Sequence, residues 1–345
     1  MVKKANEFNV KKITTDILAT IEREREREII SRRFGLFDRK ETLEQIGELL
    51  VITRERVRQL EKAVLQKLKL SAKEGKLPHI NDVQSILKET IHESGDIIRI
   101  ADLSNYLTEN NTKFDRAQVS FLAELCPNLV VINENDDFYH AVTIKSIHDQ
   151  KQVEALINEI IAVIGKMGAP APIEKIAKSL DKDLGTQHVK ALATVSKHLA
   201  SLNGQWGLNK WPTVNPKNIR DKIYVILKEQ GRHMHFNEIS DAIKKSDFKR
   251  KNVTTQAIHN ELIKDKRFVL IGRGIYALKE WGYEKGTVAD IITEVLKNAQ
   301  KPLHRDEIIK QVLKSRFVKE TTILLNLQGK PQFKRVAKAT YALVD

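Results

Sequence analysis

Cysteine is almost absent: Cys126 is the only one in 345 residues. One thiol cannot build an internal disulfide framework, so the chain fits a reducing compartment. Cys126, next to Pro127, has the context of a small buried side chain rather than a nucleophile. No apolar run approaches the ~18 residues of a membrane span. The leading MVKKANEFNVKK has no signal-peptide core. These absences point to a cytoplasmic protein with no membrane contact. Catalytic signatures are missing too: there is no Walker A loop, zinc-ligand spacing or nucleophile triad. His233 and His235 lie two apart without a cysteine partner. Asp306, Glu307 and Lys310 come nearest to a nuclease cluster, but they share one apparent amphipathic helix. The expectation is a non-enzyme with no metal and no cofactor.

What the chain does have is positive charge. Net charge is +14 and the pI is near 9.6, which favours a polyanionic partner. An apolar fraction of 41% is globular, and 345 residues leave room for two or more domains. The charge is uneven. Residues 80–149 hold five basic and twelve acidic side chains, net −7, whereas 217–285 hold sixteen and nine, net +7. The acidic block is not expected to bind DNA.

The chain is organised around TLEQIGELLVITRERVRQLEKAVLQKLK, residues 42–69. Thr42 and Gln45 have capping-box spacing and mark a helix start. Leu43, Ile46, Gly47 and Leu50 share one face, Val51-Ile52 breaks the pattern, and Thr53 caps a second helix. In that helix Val57, Leu60, Val64 and Leu68 turn inward, leaving Arg54, Glu55, Arg56, Arg58 and Gln59 outward on its leading end, with Lys62 one turn on. Two helices, a short turn and a polar leading end make a helix-turn-helix whose second helix can enter a major groove.

RRFGL (Arg32–Leu36), TLEQIGELL and TRERVRQLE (Thr53–Glu61) together resemble region 4 of the sigma-70 family of bacterial transcription initiation factors, over about Ile13 to Lys73. The resemblance implies two jobs: reading the promoter −35 element in double-stranded DNA, and docking on the β-flap of bacterial RNA polymerase. By position, Arg54, Glu55, Arg58 and Gln59 match the base- and phosphate-contacting set. Arg and Gln offer paired donors to guanine and adenine edges, and Glu accepts from cytosine. Region 4 normally ends a sigma factor, and no preceding region 2 is expected here, so unaided promoter opening is in doubt.

Residues 13–33 are expected to form one helix with a charge-alternating exposed face, and Ser71–Pro78 (SAKEGKLP) a polar linker. Beyond it a plan recurs: helix, short segment, second helix, third helix, hairpin. Leu103, Ile176, Ile239 and Ile308 take equivalent positions in the second helices, at steps of 73, 63 and 69 residues. Asn128–Ala141, Gln205–Trp211, Arg267–Leu278 and Phe333–Leu343 are expected to supply the hairpins, the third turning at Gly272-Arg273-Gly274. Three helices and a hairpin make a winged helix. The expected fold is therefore mainly α: a helix-turn-helix domain over 1–75, then four small winged-helix domains over 80–149, 150–216, 217–285 and 286–345.

In the third of these, ILKEQGRHMHFNEISDAI, VTTQAIHNELIKDKRFVLIGRGIYAL and EWGY resemble the HARE-HTH winged-helix family, over about Ile219–Tyr283. That family includes the N-terminal domain of the RNA polymerase delta subunit and copies attached to restriction enzymes and chromatin regulators. Some members bind DNA and others proteins. The residues themselves propose a DNA face: Lys249, Arg250 and Lys251 before a helix over Val253–Ile263, Thr255, Gln256, His259 and Asn260 on that helix's outer side, and Arg273 on the wing. In the first unit the wing tip is Asn133-Glu134-Asn135-Asp136-Asp137, which phosphate would repel, so protein contact is expected there. The leading expectation is a sigma-like transcription initiation regulator. The alternatives are a polymerase accessory subunit acting by protein contacts, and a DNA-recognition part of a restriction system.

Overall fold

The computed structural model describes residues 8–180, 182, 184–248, 250–283 and 285–344. They divide into two compact units, Met1–Lys210 and Trp211–Asp345. The protein is mainly helical, with small antiparallel sheets.

The first unit opens with α1 (Val10–Ala19) and α2 (Glu24–Phe34). This corrects the single helix expected over 13–33. The chain breaks because the Thr20 hydroxyl donates to the Ile17 carbonyl at 2.6 Å, and the Arg27 guanidinium takes the Ile21 carbonyl at 2.8 Å. Ile21 is buried between the two helices in sequence, so the break carries it into the core. Then follow α3 (Leu43–Leu50) and α4 (Arg54–Lys73).

After α4 come α5 (Ile80–Glu93), β1 (Ile97–Arg99), α6 (Ile100–Leu107), α7 (Lys113–Leu125), β2 (Leu129–Ile132) and β3 (Ala141–Ile144). Next are α8 (Gln150–Met167), β4 (Ala171–Pro172), α9 (Ile173–Lys178), α10 (Thr186–Val195), β5 (Leu199–Leu202) and β6 (Gln205–Leu208). Ser71–Pro78 is no open linker. Its first three residues finish α4, and Ala72 and Leu77 are buried in a core that runs without a gap from Phe8 in front of α1 to Ile144 in β3. Apolar side chains left over on α1 and α4 are covered by α5 and α7, and covering them is more favourable than keeping a hydrated boundary.

The second unit repeats the same order twice. Its first half holds α11 (Ile219–Gln230), β7 (Met234–His235), α12 (Phe236–Lys245), α13 (Thr255–Lys264), β8 (Phe268–Gly272) and β9 (Ile275–Leu278). Its second half holds α14 (Val288–Ala299), β10 (Leu303–His304), α15 (Arg305–Ser315), α16 (Glu320–Gly329), β11 (Phe333–Ala337) and β12 (Thr340–Leu343).

Among the described residues, four sheets share one topology. The hairpin pairs antiparallel, and its second strand also takes the short strand in front of the second helix: β1-β3-β2, β4-β6-β5, β7-β9-β8 and β10-β12-β11. Leu103, Ile176, Ile239 and Ile308 are each fully buried, so the positions aligned from sequence play one packing role in four places. Two hairpins differ from expectation. In the first, Leu129–Ile132 pairs with Ala141–Ile144, so the second strand begins where the expected Asn128–Ala141 segment ends. Gln205–Leu208 pairs backward with Leu199–Leu202 through an Asn203-Gly204 turn, both residues at positive φ, instead of forming a pair within Gln205–Trp211. Asn-Gly between apolar runs is a strong hairpin signal, because both central positions of this tight turn need the left-handed conformation. Gly272 likewise belongs to β8, beside a bulge, and the turn proper is Arg273-Gly274. Among the described residues no helix is long and apolar enough to cross a membrane.

Candidate nucleic-acid interface

The helix-turn-helix is built from local signals that agree. Thr42 accepts from the Gln45 amide at 3.2 Å while the Gln45 side chain accepts from the Thr42 amide at 2.9 Å, closing the capping box at the start of α3. Thr53 accepts from the Arg56 amide at 3.2 Å and caps α4. Gly47 lies where α3 meets the turn: a Cβ there would stand 2.7 Å from the Ile52 carbonyl oxygen, so any side chain would force the turn open. Ile29, Ile46 and Val57 are fully buried together and lock α2, α3 and α4 into one small core. Across the turn, the Arg25 guanidinium on α2 takes the Leu50 carbonyl.

With Val57 and Val64 held inward, Arg54, Glu55, Arg56, Arg58, Gln59 and Lys62 are all left exposed on the outer side of α4. They are not independent side chains. Glu55 receives Arg58 through both of its oxygens, at 2.8 and 2.7 Å, and Gln59 at 3.2 Å. Arg56 reaches Gln59 at 3.4 Å, and Arg54 pairs with Glu44 of α3 at 3.0 Å. Hydrogen bonds from Arg58 and then Gln59 hold the Glu55 carboxyl at about 2, well below the usual carboxylate range. The same pair raises the Arg58 guanidinium above its ordinary value. Two arginines, a carboxylate and an amide thus form a pre-oriented polar surface on the leading turns of an exposed helix. That is the donor and acceptor set that base edges in a major groove require.

Residues 23–70 match the family model for Sigma-70, region 4. Over 68 residues the chain is 47% identical to the RNA polymerase sigma factor SigA1 of Synechococcus elongatus, a match covering 19% of this chain and 14% of that protein. RNA polymerase sigma factor SigA of Synechocystis sp. is 46% identical over 68 residues, with the same coverage of each chain. The protein named SigA from a Bacillus sp. is 47% identical over 55 residues, 16% of this chain and 14% of that one. The match thus spans about a seventh of each of these relatives. The sigma-like region therefore comprises α2, α3 and nearly all of α4, and the remainder of the chain lies outside it.

Away from the sigma-like region, the set expected on residues 217–285 is only partly assembled. Arg250, Lys251, Gln256 and Arg273 stand at the surface, while Lys249 lies outside the described residues. The outward placement of Thr255 and His259 is corrected. Thr255 bonds the Ser240 hydroxyl of α12 at 3.1 Å, and the His259 ring is half-buried between Phe236 and Tyr276, with centroids 5.0 and 6.1 Å away. The helix begins at Thr255 rather than Val253, capped by Thr254, which turns those two side chains toward α12 and the sheet. Gln256 bonds Asn260 one turn on, at 3.1 Å. The hairpin turn at Gly274 is held by its carbonyl accepting from the Phe236 amide at 3.0 Å, which keeps Arg273 beside the start of α12.

The acidic connection between β2 and β3, expected as a wing tip, is also engaged. Glu134 pairs with Lys197 at 2.8 Å, Asp137 with His198 at 2.7 Å, and Phe138 bridges Ser196 in antiparallel fashion. This connection is covered by the stretch between α10 and β5 of the same unit. Sequence reasoning missed it because nothing local in NENDD names Lys197 and His198 as partners. Among the described residues no three His, Cys, Asp or Glu side chains gather as for a metal ion. His233 packs on Phe317 with ring centroids 4.5 Å apart, and His235 caps α12. Burial pushes the Cys126 thiol up to about 12, which leaves it unreactive as a thiolate.

Proposed function

We propose that this protein is a sigma-factor-like regulator of transcription initiation that reads −35-type promoter DNA through α4 and docks on bacterial RNA polymerase. The observation that carries it is the Glu55–Arg58–Gln59 constellation on the exposed, capped second helix of a segment matching sigma-70 region 4. The division into a region 4-like module and four winged-helix modules, the HARE-HTH character of the third, the β-flap contact, a cytoplasmic and nucleoid location, and the absence of enzymatic activity belong to the same proposal. Arg58→Ala should weaken binding to a −35-like duplex and relax base preference, at a cost of ~1–3 kcal/mol if the contact is bidentate. The experiment is duplex binding with −35-like and shuffled sequences, alongside co-purification with RNA polymerase. Unchanged affinity and unchanged preference in Arg58→Ala would sink the DNA reading.

A second reading, an accessory subunit acting chiefly through protein contacts, draws support from residues 217–285. The turning-in of Thr255 and His259 removes part of its DNA face. Under that reading polymerase co-purifies while −35-like and shuffled duplexes bind equally.

A further inference from the structure

Beyond the leading turns of α4, the first unit contains an open groove of about 1050 Å³ between the end of α2, the middle of α4, α7 and the β2–β3 connection. Its charge is not what the segment totals imply. Residues 80–149 are net −7, yet three of their five cations, Arg99, Lys113 and Arg116, line this groove, where they meet Arg33, Arg39 and Lys40 from the sigma-like region. Of the carboxylates on its walls, Glu61, Glu124 and Glu134 are each tied to a lysine or arginine, Arg33 at 3.3 Å, Lys69, and Lys197 at 2.8 Å, while Asp38 accepts from the Arg39 backbone amide at 2.7 Å. Among the described residues Lys40, Lys113 and Arg116 have no carboxylate partner; Arg116 bonds only the Asn111 amide oxygen, at 2.9 Å. Gly35, at φ +68°, lets the loop pass so close that a Cβ would meet the Lys40 backbone nitrogen at 2.9 Å, and this tight loop presents Arg39 and Lys40 at the rim.

Two flat groups stand among these cations. Phe114 is 44% exposed, an unusual placement for a phenyl ring. Arg99 lies 5.4 Å from the centroid of the Tyr139 ring and is fixed by both oxygens of Asp102, at 2.6 and 3.1 Å, so it presents a rigid planar cation.

We propose that this groove binds single-stranded nucleic acid, with phosphates on Lys40, Lys113 and Arg116 and bases stacked on Phe114 and on the Arg99–Tyr139 pair. Cations along a groove, interleaved with an exposed ring and a held guanidinium, are the parts that single-strand binding needs. A duplex keeps its base faces stacked internally and has no use for the ring. An acidic peptide would use the cations but gains nothing from base stacking. Arg54, Glu55 and Arg58 do not line the groove, so it is separate from the duplex-reading surface and its test is independent of that surface.

The test is fluorescence anisotropy of the full chain with a labelled twelve-nucleotide oligothymidylate. Changing Lys40, Lys113 and Arg116 together to Ala should weaken binding at least tenfold. It should also flatten the salt dependence by up to ~0.7 in log K per log salt for each phosphate no longer neutralised. Phe114→Ala should weaken binding too, and Phe114→Trp, which keeps a stacking ring, should restore it. All these side chains reach the surface, so unchanged thermal melts will separate lost binding from lost folding. Duplex binding through Arg58 should be unaffected in every variant. The proposal is overturned if oligothymidylate binds the wild type and all variants alike, or if a twelve-residue polyglutamate displaces it at lower concentration than unlabelled oligothymidylate does.

Discussion

Val51 and Glu55 show how single side chains are held in states they would not choose alone. Val51 sits in the left-handed region at φ 54°, where a β-branched side chain is disfavoured by ~1–2 kcal/mol, and it is 88% exposed, so packing returns almost nothing. The conformation is imposed from outside, by the α3-to-α4 turn and the Ile52 amide donating to the Gly47 carbonyl at 2.9 Å. Val51→Asn should therefore stabilise the protein by about 1 kcal/mol in chemical denaturation, because Asn tolerates this region. Glu55 has the opposite history: its carboxyl is held at about 2 by Arg58 and Gln59. A carboxyl lowered in the folded state contributes stability above its unfolded value of ~4.3 and loses that contribution as pH falls through its folded value. The Glu55–Arg58 pair should thus persist across the whole neutral and mildly acidic range. An NMR titration of the Glu55 carboxyl carbon should give a midpoint near 2 in the wild type. The midpoint should move toward the ordinary carboxylate value in Arg58→Ala, and an ordinary wild-type midpoint would refute the clamp.

At the scale of the element, α4 depends on its cap more than on its composition. Its leading turn carries Arg54, Glu55 and Arg56, three long polar side chains that bury nothing. The first buried residue is Val57, so the Thr53 hydroxyl on the Arg56 amide is what holds that turn closed. Thr53→Ala should cost ~1 kcal/mol and speed hydrogen exchange at the Arg56 amide. It should also weaken duplex binding, because the frayed turn is the one that carries the proposed contacts. Hairpins obey a different local rule. Asn203-Gly204 sets the β5–β6 register by its own geometry, whereas the Lys338-Ala339 turn of β11–β12 puts an alanine at φ 55° and is left to the sheet to enforce.

Across the molecule, the contacts that cross between repeated elements of the first unit run through histidines as well as apolar side chains. His148 and His188 stand Nε2 to Nε2 at 2.8 Å, and the His188 Nδ1 lies 2.7 Å from the Gly95 carbonyl oxygen, within donating distance. At that distance one ring nitrogen donates and the other accepts. Burial, then His188, lowers His148, and burial, then Lys40, lowers His140. A histidine lowered in the folded state binds fewer protons than in the unfolded chain, so stability is complete above about 6.5 and declines as pH falls below it. The melting temperature of the full chain should drop between pH ~7 and pH ~5.5. His148→Gln, which cannot charge, should reduce that drop; an equal drop in both proteins would show that the pair is not responsible.

The signals legible in the sequence alone are those that need only near neighbours. The capping box at Thr42, the cap at Thr53, the outward set from Arg54 to Lys62 and the recurrence of Leu103, Ile176, Ile239 and Ile308 all follow from helical period and short-range hydrogen bonding. The Asn203-Gly204 turn is equally local, yet a reading that starts the second hairpin at Gln205 misses it. What tertiary structure alone decided are the features that depend on partners far along the chain. The continuous core across Ser71–Pro78 follows from α5 and α7 covering α1 and α4, and it takes in Ile21 at the break between α1 and α2. The occupied acidic β2–β3 connection depends on Lys197 and His198, and the inward turn of Thr255 on Ser240. Net charge shows the difference most plainly: a segment total of −7 adds up every side chain, whereas a ligand meets only those that folding gathers on one surface, and here folding gathers Arg99, Lys113 and Arg116.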